Sequence, residues 1–441
     1  MMIATERATS WVTISEPARS TPVVREVDVL VVGGGMSGCS AARAAAQGGA
    51  RTLLVERYGF LGGTATAAMV GCICGLYTCG PESSQLQLIY GHAQELMDRL
   101  EALHAGFKYR HRYQLDHEVL KLVLDEWLLQ AGVELLLHTF GVHAIVEDDC
   151  IAGVVIENKG GRAAIRASVV IDASGDGDVA ARAGAPWEKG DAEGQLQAPT
   201  YVFYMSGVDI DRAMSIPESK LKEWMKAARG RGEYNFPRIS GSYSPAPKPG
   251  TVHVNMTRTP GVDGIDPDSL TAGHLEGRRQ IRDFIAFLQR HVPGFENAYL
   301  DAIAPQLGVR ETRRIMGEYV LTREDVLGAQ KFADGVCRSS WPVEDHTIGL
   351  DTVRLHLPGD DYYHVPYRSL VPQKIDGLLL AGRCISATHD AMASVRVMGP
   401  GLALGQAAGT AAVLALETNT APRNVSIPTL QERLRSAGAL I

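Results

Sequence analysis

Arg310, Arg313 and Arg314 fall within the seven-residue run GVRETRR (308–314). Guanidinium groups hold carboxylates in a planar, two-point fashion, so Arg310 and Arg313 can clamp an anionic small molecule. The same run can equally form an ion-pair cluster with Glu311 and Glu318. His346, beside Asp345, and His389 are the side chains best suited to move a proton, because imidazole titrates near neutrality. His389 is read either as that acid–base group or as a hydrogen-bonded structural residue. Arg396 can hold a substrate anion or simply pair with Asp390. Cys72, Cys74 and Cys79 lie in CICGLYTC, where the C-x4-C spacing could support thiol–disulfide chemistry. There is no four-cysteine iron–sulfur or zinc pattern, so no metal site is expected.

Such side chains need a scaffold, and its start is legible near the N-terminus. The run 27–32 (VDVLVV) is an apolar β-branched stretch, as expected of a strand buried on both faces of a parallel sheet. Gly33, Gly35 and Gly38 follow with G-x-G-x-x-G spacing. They permit a tight turn, a close approach of backbone to a pyrophosphate, and close packing of a helix on the strand. Residues 37–47 form a small-residue helix stopped by Gly48 and Gly49, and Met36 and Ser37 sit where its free N–H groups meet an anion. A second strand, 51–55, ends on Glu56, which can accept hydrogen bonds from a ribose. Strand, glycines, helix, strand and acid, in that order, specify the ADP half of a dinucleotide.

Composition sets outer bounds. At 441 residues with 45% hydrophobic content, the chain exceeds the usual size of one core, so two domains are expected. A net charge of −7 argues against a nucleic-acid surface. Seven cysteines without regular spacing do not suggest a disulfide framework, and a reducing cytoplasm fits them better. The first 26 residues read as an extended leader with no apolar signal segment. The uncharged run 398–416 is long enough to span a bilayer. Its Ala/Gly content and internal Gln instead suggest a buried helix packed on a cofactor, so no membrane span is expected.

Which dinucleotide binds is decided further along the chain. Gly62, Gly63 and Thr64 offer a second backbone approach that nicotinamide domains usually lack. Residues 132–173 read as four short strands forming a β-meander that returns to the parallel sheet. It closes on Ala173, Ser174 and Gly175, small residues at the carboxyl end of a buried strand, where α/β ligands bind. Residues 377–382 (GLLLAG) form one more strand, and a turn at Gly401 opens the Ala/Gly helix. That helix N-terminus can stabilise negative charge on a reduced isoalloxazine. A cradle assembled from 33–64, 172–176 and 382–405 fits FAD.

The stretches DVLVVGGGMSGCSAARAAAQGGARTLLVERYGFLGGTAT, VIDASGDGDVAARAGAP, LGVRETRRIMGEYVLTREDV, VPYRSLVPQKIDGLLLAGRCISATHDAMASVRVM and LALGQAAGTAA resemble the FAD-dependent oxidoreductase family, within the wider glutathione-reductase-like flavoproteins. The resemblance runs from about Val23 to Leu416 and is weakest over 188–305. It implies ADP contacts at Gly33, Gly35, Gly38, Glu56, Arg57, Gly63 and Val142, and flavin-side contacts at Gly382, Arg383 and Leu402. Many of the wider relatives have Gly-Asp where this chain has Gly382-Arg383, which directs Arg383 toward a phosphate rather than a ribityl chain. In flavin disulfide reductases the first redox cysteine directly follows G-G-T, whereas Ala65 stands there in this chain.

The expected fold is therefore α/β: a Rossmann-like FAD-binding domain with a parallel sheet and a β-meander, plus a smaller α+β substrate domain. The expected boundaries are a leader at 1–26, FAD-binding segments at 27–187 and 364–441, and the substrate domain at 188–363. No second G-x-G-x-x-G follows a strand, so no dedicated nicotinamide domain is expected. The expected activity is that of an FAD-dependent dehydrogenase or oxidase passing a hydride between a small anionic substrate and flavin N5. His389, seven residues beyond Gly382, is expected beside the flavin. A flavin monooxygenase or halogenase, a thiol–disulfide enzyme and an electron relay are the alternatives. Expected partners are the small substrate, a separate electron acceptor or oxygen, and a second copy in a homodimer.

Overall fold

The computed structural model describes residues 13–347, 349 and 351–441. The first twelve residues of the expected leader thus lie outside the described residues. Its last four belong to the first strand, β1 (Val23–Val32), which starts earlier than expected because residues 23–26 already pair with the Gly161–Asp172 strand. The helix α1 (Met36–Gln47) follows and is capped by Gly48, and β2 (Thr52–Val55) is buried along its whole length.

Five strands run parallel in one sheet: Glu134–Leu136, β2, β1, the carboxyl half of Gly161–Asp172, and Leu378–Leu380. The amino half of Gly161–Asp172 pairs antiparallel with Cys150–Asn158, which pairs in turn with Phe140–Glu147. The meander therefore has three strands, not four. Glu134–Leu136 lies at the opposite edge of the sheet, because the helix His117–Leu129 carries the chain across before it. A helical crossover returns a strand parallel, which residue alternation alone cannot reveal.

The apolar run near the C-terminus forms the helix Met398–Thr418, of which 83% of the most apolar stretch is buried within the fold. It packs on α1 at backbone distance. A Cβ on Gly405 would lie 2.1 Å from the Ser37 carbonyl oxygen, and one on Gly409 would lie 2.2 Å from that of Ala41. Two glycines one turn apart thus seat the C-terminal helix against the nucleotide-binding helix. The far end of the chain is thereby joined to the first β–α unit.

A second sheet is antiparallel, in the order Ser242–Pro245, Val252–Asn255, Phe203–Ser206, Tyr299–Ile303. The helices Glu218–Gly230 and Pro267–His291 cover it, and Phe203, Phe236, Phe284 and Phe287 fill the core between. This second core runs from Tyr201 to Leu307, with Met69 joining from outside. Ile315, Val336, Val343 and Tyr363, expected with the substrate domain, pack in the first core instead.

Candidate active site

One cleft runs from the end of β1 into the space under the antiparallel sheet, and its two ends differ in construction. The first end is mostly backbone. It is lined by Gly33, Gly35, Met36, Ser37, Gly63, Thr64, Ala173, Ser174, Gly175, Gly382 and Gly401, with Glu56, Arg57 and Arg383. Gly33 has φ +108°, and a Cβ on it would lie 2.3 Å from the Ala173 carbonyl oxygen, so only glycine closes this turn. Beside Gly35, by contrast, a Cβ would meet nothing nearer than Gly63 Cα at 4.0 Å, which leaves an opening for a ligand.

Neither helix that points at this end has a side-chain cap. Gly35 and Val397 occupy the N-cap positions of α1 and of Met398–Thr418 without a capping hydrogen bond. The first-turn N–H groups of α1 remain available to anionic groups, whereas Met398–Thr418 offers mainly its positive dipole end, because Gly399 N–H is donated to the Cys74 carbonyl and Pro400 has no N–H. Glu56 is buried, and its Oε2 accepts from Gly34 N–H at 2.6 Å while Oε1 accepts from Tyr58 N–H at 2.9 Å. A carboxylate has further lone pairs, so it can still receive a ribose hydroxyl. An open glycine-lined channel between two uncapped helix N-termini, with a fixed carboxylate on its wall, fits FAD.

The other end is a chamber of charged side chains. Arg112, Arg238, Arg310, Arg354 and Arg396 line it together with His253, His346, Asn255, Trp341, Cys72 and Cys74, and Glu344 is the carboxylate among them. Burial lowers the pKa of Arg310 well below its ordinary value, and the charges of Arg396 and Arg238 add to that. Burial, with the charge of Arg258, brings Arg238 down to about 10. These cations repel one another across the chamber. Nη1 of Arg238 and both Nε and Nη2 of Arg396 have no hydrogen-bond partner among the described residues. Buried donors without acceptors are costly unless a ligand supplies them.

His346 is 4% exposed, with Nδ1 3.3 Å from the Thr352 hydroxyl and Nε2 3.6 Å from Glu344. Burial and the neighbouring Arg310 lower its pKa well below the ordinary value, so the ring is neutral at pH 7. Burial alone would raise Glu344, but His346 and the charges of Arg354 and Arg396 outweigh it and keep the carboxylate ionised.

The structure brings only some of the sequence candidates together. His346, Arg310 and Arg396 line the chamber. His389 does not. It begins the helix His389–Val395, whose far end is capped by Arg396, and two turns of helix separate the two side chains. His389 faces a shallow groove with residues 188–193 and bonds to Glu311 and Gln197. Arg313 is also off the cleft, paired with Asp178 at 3.0 Å and stacked over Trp187. The ion-pair reading of GVRETRR holds for Arg314, which bonds to Glu311, whereas Glu318 pairs with Arg423. Asp390 pairs with Arg323 and leaves Arg396 free of it.

Among the cofactor candidates, four lie off the lining. Gly38 packs against the Gly33 carbonyl, and Gly62 donates its N–H to Gly34. Val142 falls at a bulge in Phe140–Glu147, and Leu402 is fully buried behind the helix turn. Arg383 lines the cleft, but its guanidinium is tied to Asp176 at 2.8 Å and to Thr312 at 3.1 Å. A carboxylate does stand near the expected place, supplied by Asp176 from another segment.

Sequence reasoning passed over Arg112, Arg238, His253, Glu344 and Arg354, which come from separate strands and loops without any shared spacing. It also set the cysteines apart from those of flavin disulfide reductases, because Ala65 stands where those enzymes have their first cysteine. The chain folds back, so Cys72 and Cys74 line the chamber, while Cys79 donates to the Ser340 carbonyl and lies off it.

The model of a family described as FAD dependent oxidoreductase matches residues 28–434. The chain is 32% identical over 227 residues to the thiamine thiazole synthase of Aeropyrum pernix, covering 49% of this chain and 77% of that protein. It is 28% identical over 163 residues to the digeranylgeranylglycerophospholipid reductase of Methanosarcina acetivorans, covering 34% of this chain and only 37% of the reductase. Among solved structures, a geranylgeranyl bacteriochlorophyll reductase-like protein from Thermoplasma acidophilum aligns at 16% identity and a TM-score of 0.47, covering 93% of this chain and 84% of that one.

Proposed function

This chain belongs to the FAD dependent oxidoreductase family, and from that premise we propose that it moves a hydride between a small organic anion and the flavin. One observation carries the reading: Arg238, Arg310 and Arg396 crowd a buried chamber continuous with the FAD cradle, and guanidinium N–H groups of Arg238 and Arg396 have no partner among the described residues. An anion with two or more charges supplies both the missing acceptors and the missing countercharge.

The glycine-lined channel between α1 and Met398–Thr418 would hold FAD, which would supply a two-electron centre when bound. The protein's own residues orient the substrate and handle its proton. Arg310 and Arg396 hold the anionic groups and fix which carbon faces the flavin. Ionised Glu344 favours the His346 tautomer that carries its proton on Nε2. The basic nitrogen is then Nδ1, which can take a substrate proton directly or through the Thr352 hydroxyl at 3.3 Å. The cytoplasm is the location this proposal assigns, with a separate acceptor or oxygen completing the cycle.

The test is anaerobic bleaching of the purified flavoprotein by a panel of mono-, di- and tricarboxylates, set beside their amides and alcohols. Saturable bleaching by a multiply charged acid, absent with its amide, is the expected result. Equal bleaching by uncharged analogues would overturn the assignment.

A further inference from the structure

The Cys72–Ile73 strand pairs antiparallel with Arg112–Leu115, which carries Arg112 into the chamber. In extended chain, side chains at i and i+2 share a face. Cys72 and Cys74 accordingly both line the cleft, while Ile73 between them is fully buried. Their sulfur atoms are 3.7 Å apart. An i, i+2 separation of about 6.6 Å between Cα atoms in a strand lies near the long end of the range that a disulfide can bridge.

The pair is also anchored to the flavin side of the cleft. Gly399, in the first turn of Met398–Thr418, donates its N–H to the Cys74 carbonyl at 2.9 Å. A Cβ on Gly399 would come within 2.8 Å of that same oxygen, so the contact cannot loosen by side-chain adjustment. The dithiol therefore lies at the helix N-terminus that faces the cofactor.

We propose that Cys72 and Cys74 are a reversible dithiol–disulfide pair that exchanges two electrons with the flavin. Closing the S–S bond removes two electrons and two protons from the thiols. Both electrons and one proton pass to the oxidised flavin, and the second proton leaves to water. The hydrogen bond from Cys74 lowers the Cys72 thiol against the opposing effect of burial, and the charge of Arg112 lowers it further, which makes Cys72 the more readily ionised sulfur. The chain thus holds a second two-electron store beside its cofactor. This proposal rests on FAD binding, but not on the identity of the anionic substrate.

Two measurements test it on the holoenzyme. Anaerobic reductive titration of oxidised protein should consume two more electrons per chain in wild type and in Cys79→Ser than in Cys72→Ser or Cys74→Ser. Independently, oxidised wild-type protein, denatured and alkylated, should leave Cys72 and Cys74 unlabelled, and reduced protein should label both. Full labelling of both cysteines after oxidation overturns the proposal, whatever the variants do to folding or flavin content. Equal electron uptake in wild type and variants with full flavin content does the same. Neither result depends on which acid bleaches the flavin, so the substrate assignment stands or falls separately.

Discussion

The two ends of the cleft hold their ligands by different means. At the dinucleotide end the recognising groups are the backbone N–H groups of α1 and the dipole end of Met398–Thr418, shaped by glycines where a side chain would collide. At the chamber end they are guanidinium, imidazole and thiol groups carried by segments as distant as Arg112, Arg238, Arg310 and Arg396. A backbone cradle accepts few substitutions but asks little of neighbouring charges. A side-chain chamber accepts many substitutions, each of which changes what it binds. The cofactor end is thus set by steric exclusion and the substrate end by electrostatics.

The largest effect should follow a change to the backbone end. Gly33→Ala places a methyl 2.3 Å from the Ala173 carbonyl at φ +108°, so the strand end must move. We expect protein without visible flavin absorbance and with destabilisation of more than about 1 kcal/mol. Retention of full flavin content would show that side chains also shape this end.

At the chamber end, His346→Gln should keep FAD but slow anaerobic flavin reduction by roughly 10²–10⁴-fold, the usual range for loss of a positioned acid–base group. A rate within a few-fold of wild type would remove His346 from proton transfer. Glu56→Leu is intermediate. It leaves the Gly34 and Tyr58 N–H groups without their acceptor, at about 1–3 kcal/mol for each buried group. Flavin affinity should fall by about 10- to 100-fold, measurable by equilibrium release of FAD.

Arg310→Met should act twice, in opposite directions. Substrate KM should rise with little change in kcat, whereas the substrate-free protein should unfold at a higher temperature, because one of several mutually repelling buried cations is gone. Lower thermal stability in that variant would mean the chamber is balanced by its own residues and needs no anion.

The smallest effects separate the histidines by the sign of their pH dependence. Burial depresses His92 to about 4 and His253 to about 3, from an ordinary value near 6.5. Below pH 6.5 the unfolded chain binds protons that the fold refuses, so stability falls as pH drops from about 6.5 toward 4, by about 1.4 kcal/mol per pH unit for each histidine. His389 goes the other way. Burial opposes its charge, but the hydrogen bond and charge of Glu311 prevail and raise its pKa. Its contribution is complete below the ordinary value and is lost as pH rises through the raised one. Denaturation midpoints against pH should therefore shift at the acid end for His92→Gln and at the neutral end for His389→Gln. Flavin reduction in His389→Gln should stay near wild type. A large loss there would return His389 to the chemistry.

The first β–α–β unit and the glycine cradle are legible in the residues themselves, because short-range rules govern them. A buried strand needs continuous apolar residues, a tight turn needs Gly33, and a close helix pair needs small residues at Gly405 and Gly409. Each of these requirements is met within a few neighbouring positions. The edge position of Glu134–Leu136 is not legible in the same way, since a strand this short carries too little pattern to show its direction and the crossover helix decides it.

Arginines are visible in the sequence as chemistry but not as a site. In GVRETRR, three similar side chains diverge by the local path of the chain: Arg310 into the chamber, Arg313 onto Asp178 and Arg314 onto Glu311. One short helix likewise sends His389 and Arg396 to opposite ends. The amino-acid sequence by itself determined that this chain builds a flavin dinucleotide cradle, because each piece of that cradle is written in a short run of residues. Only the tertiary structure decided which charges share one chamber. Electrostatic energy depends on through-space distance and burial, and both arise when segments up to about 300 residues apart in the chain are packed together.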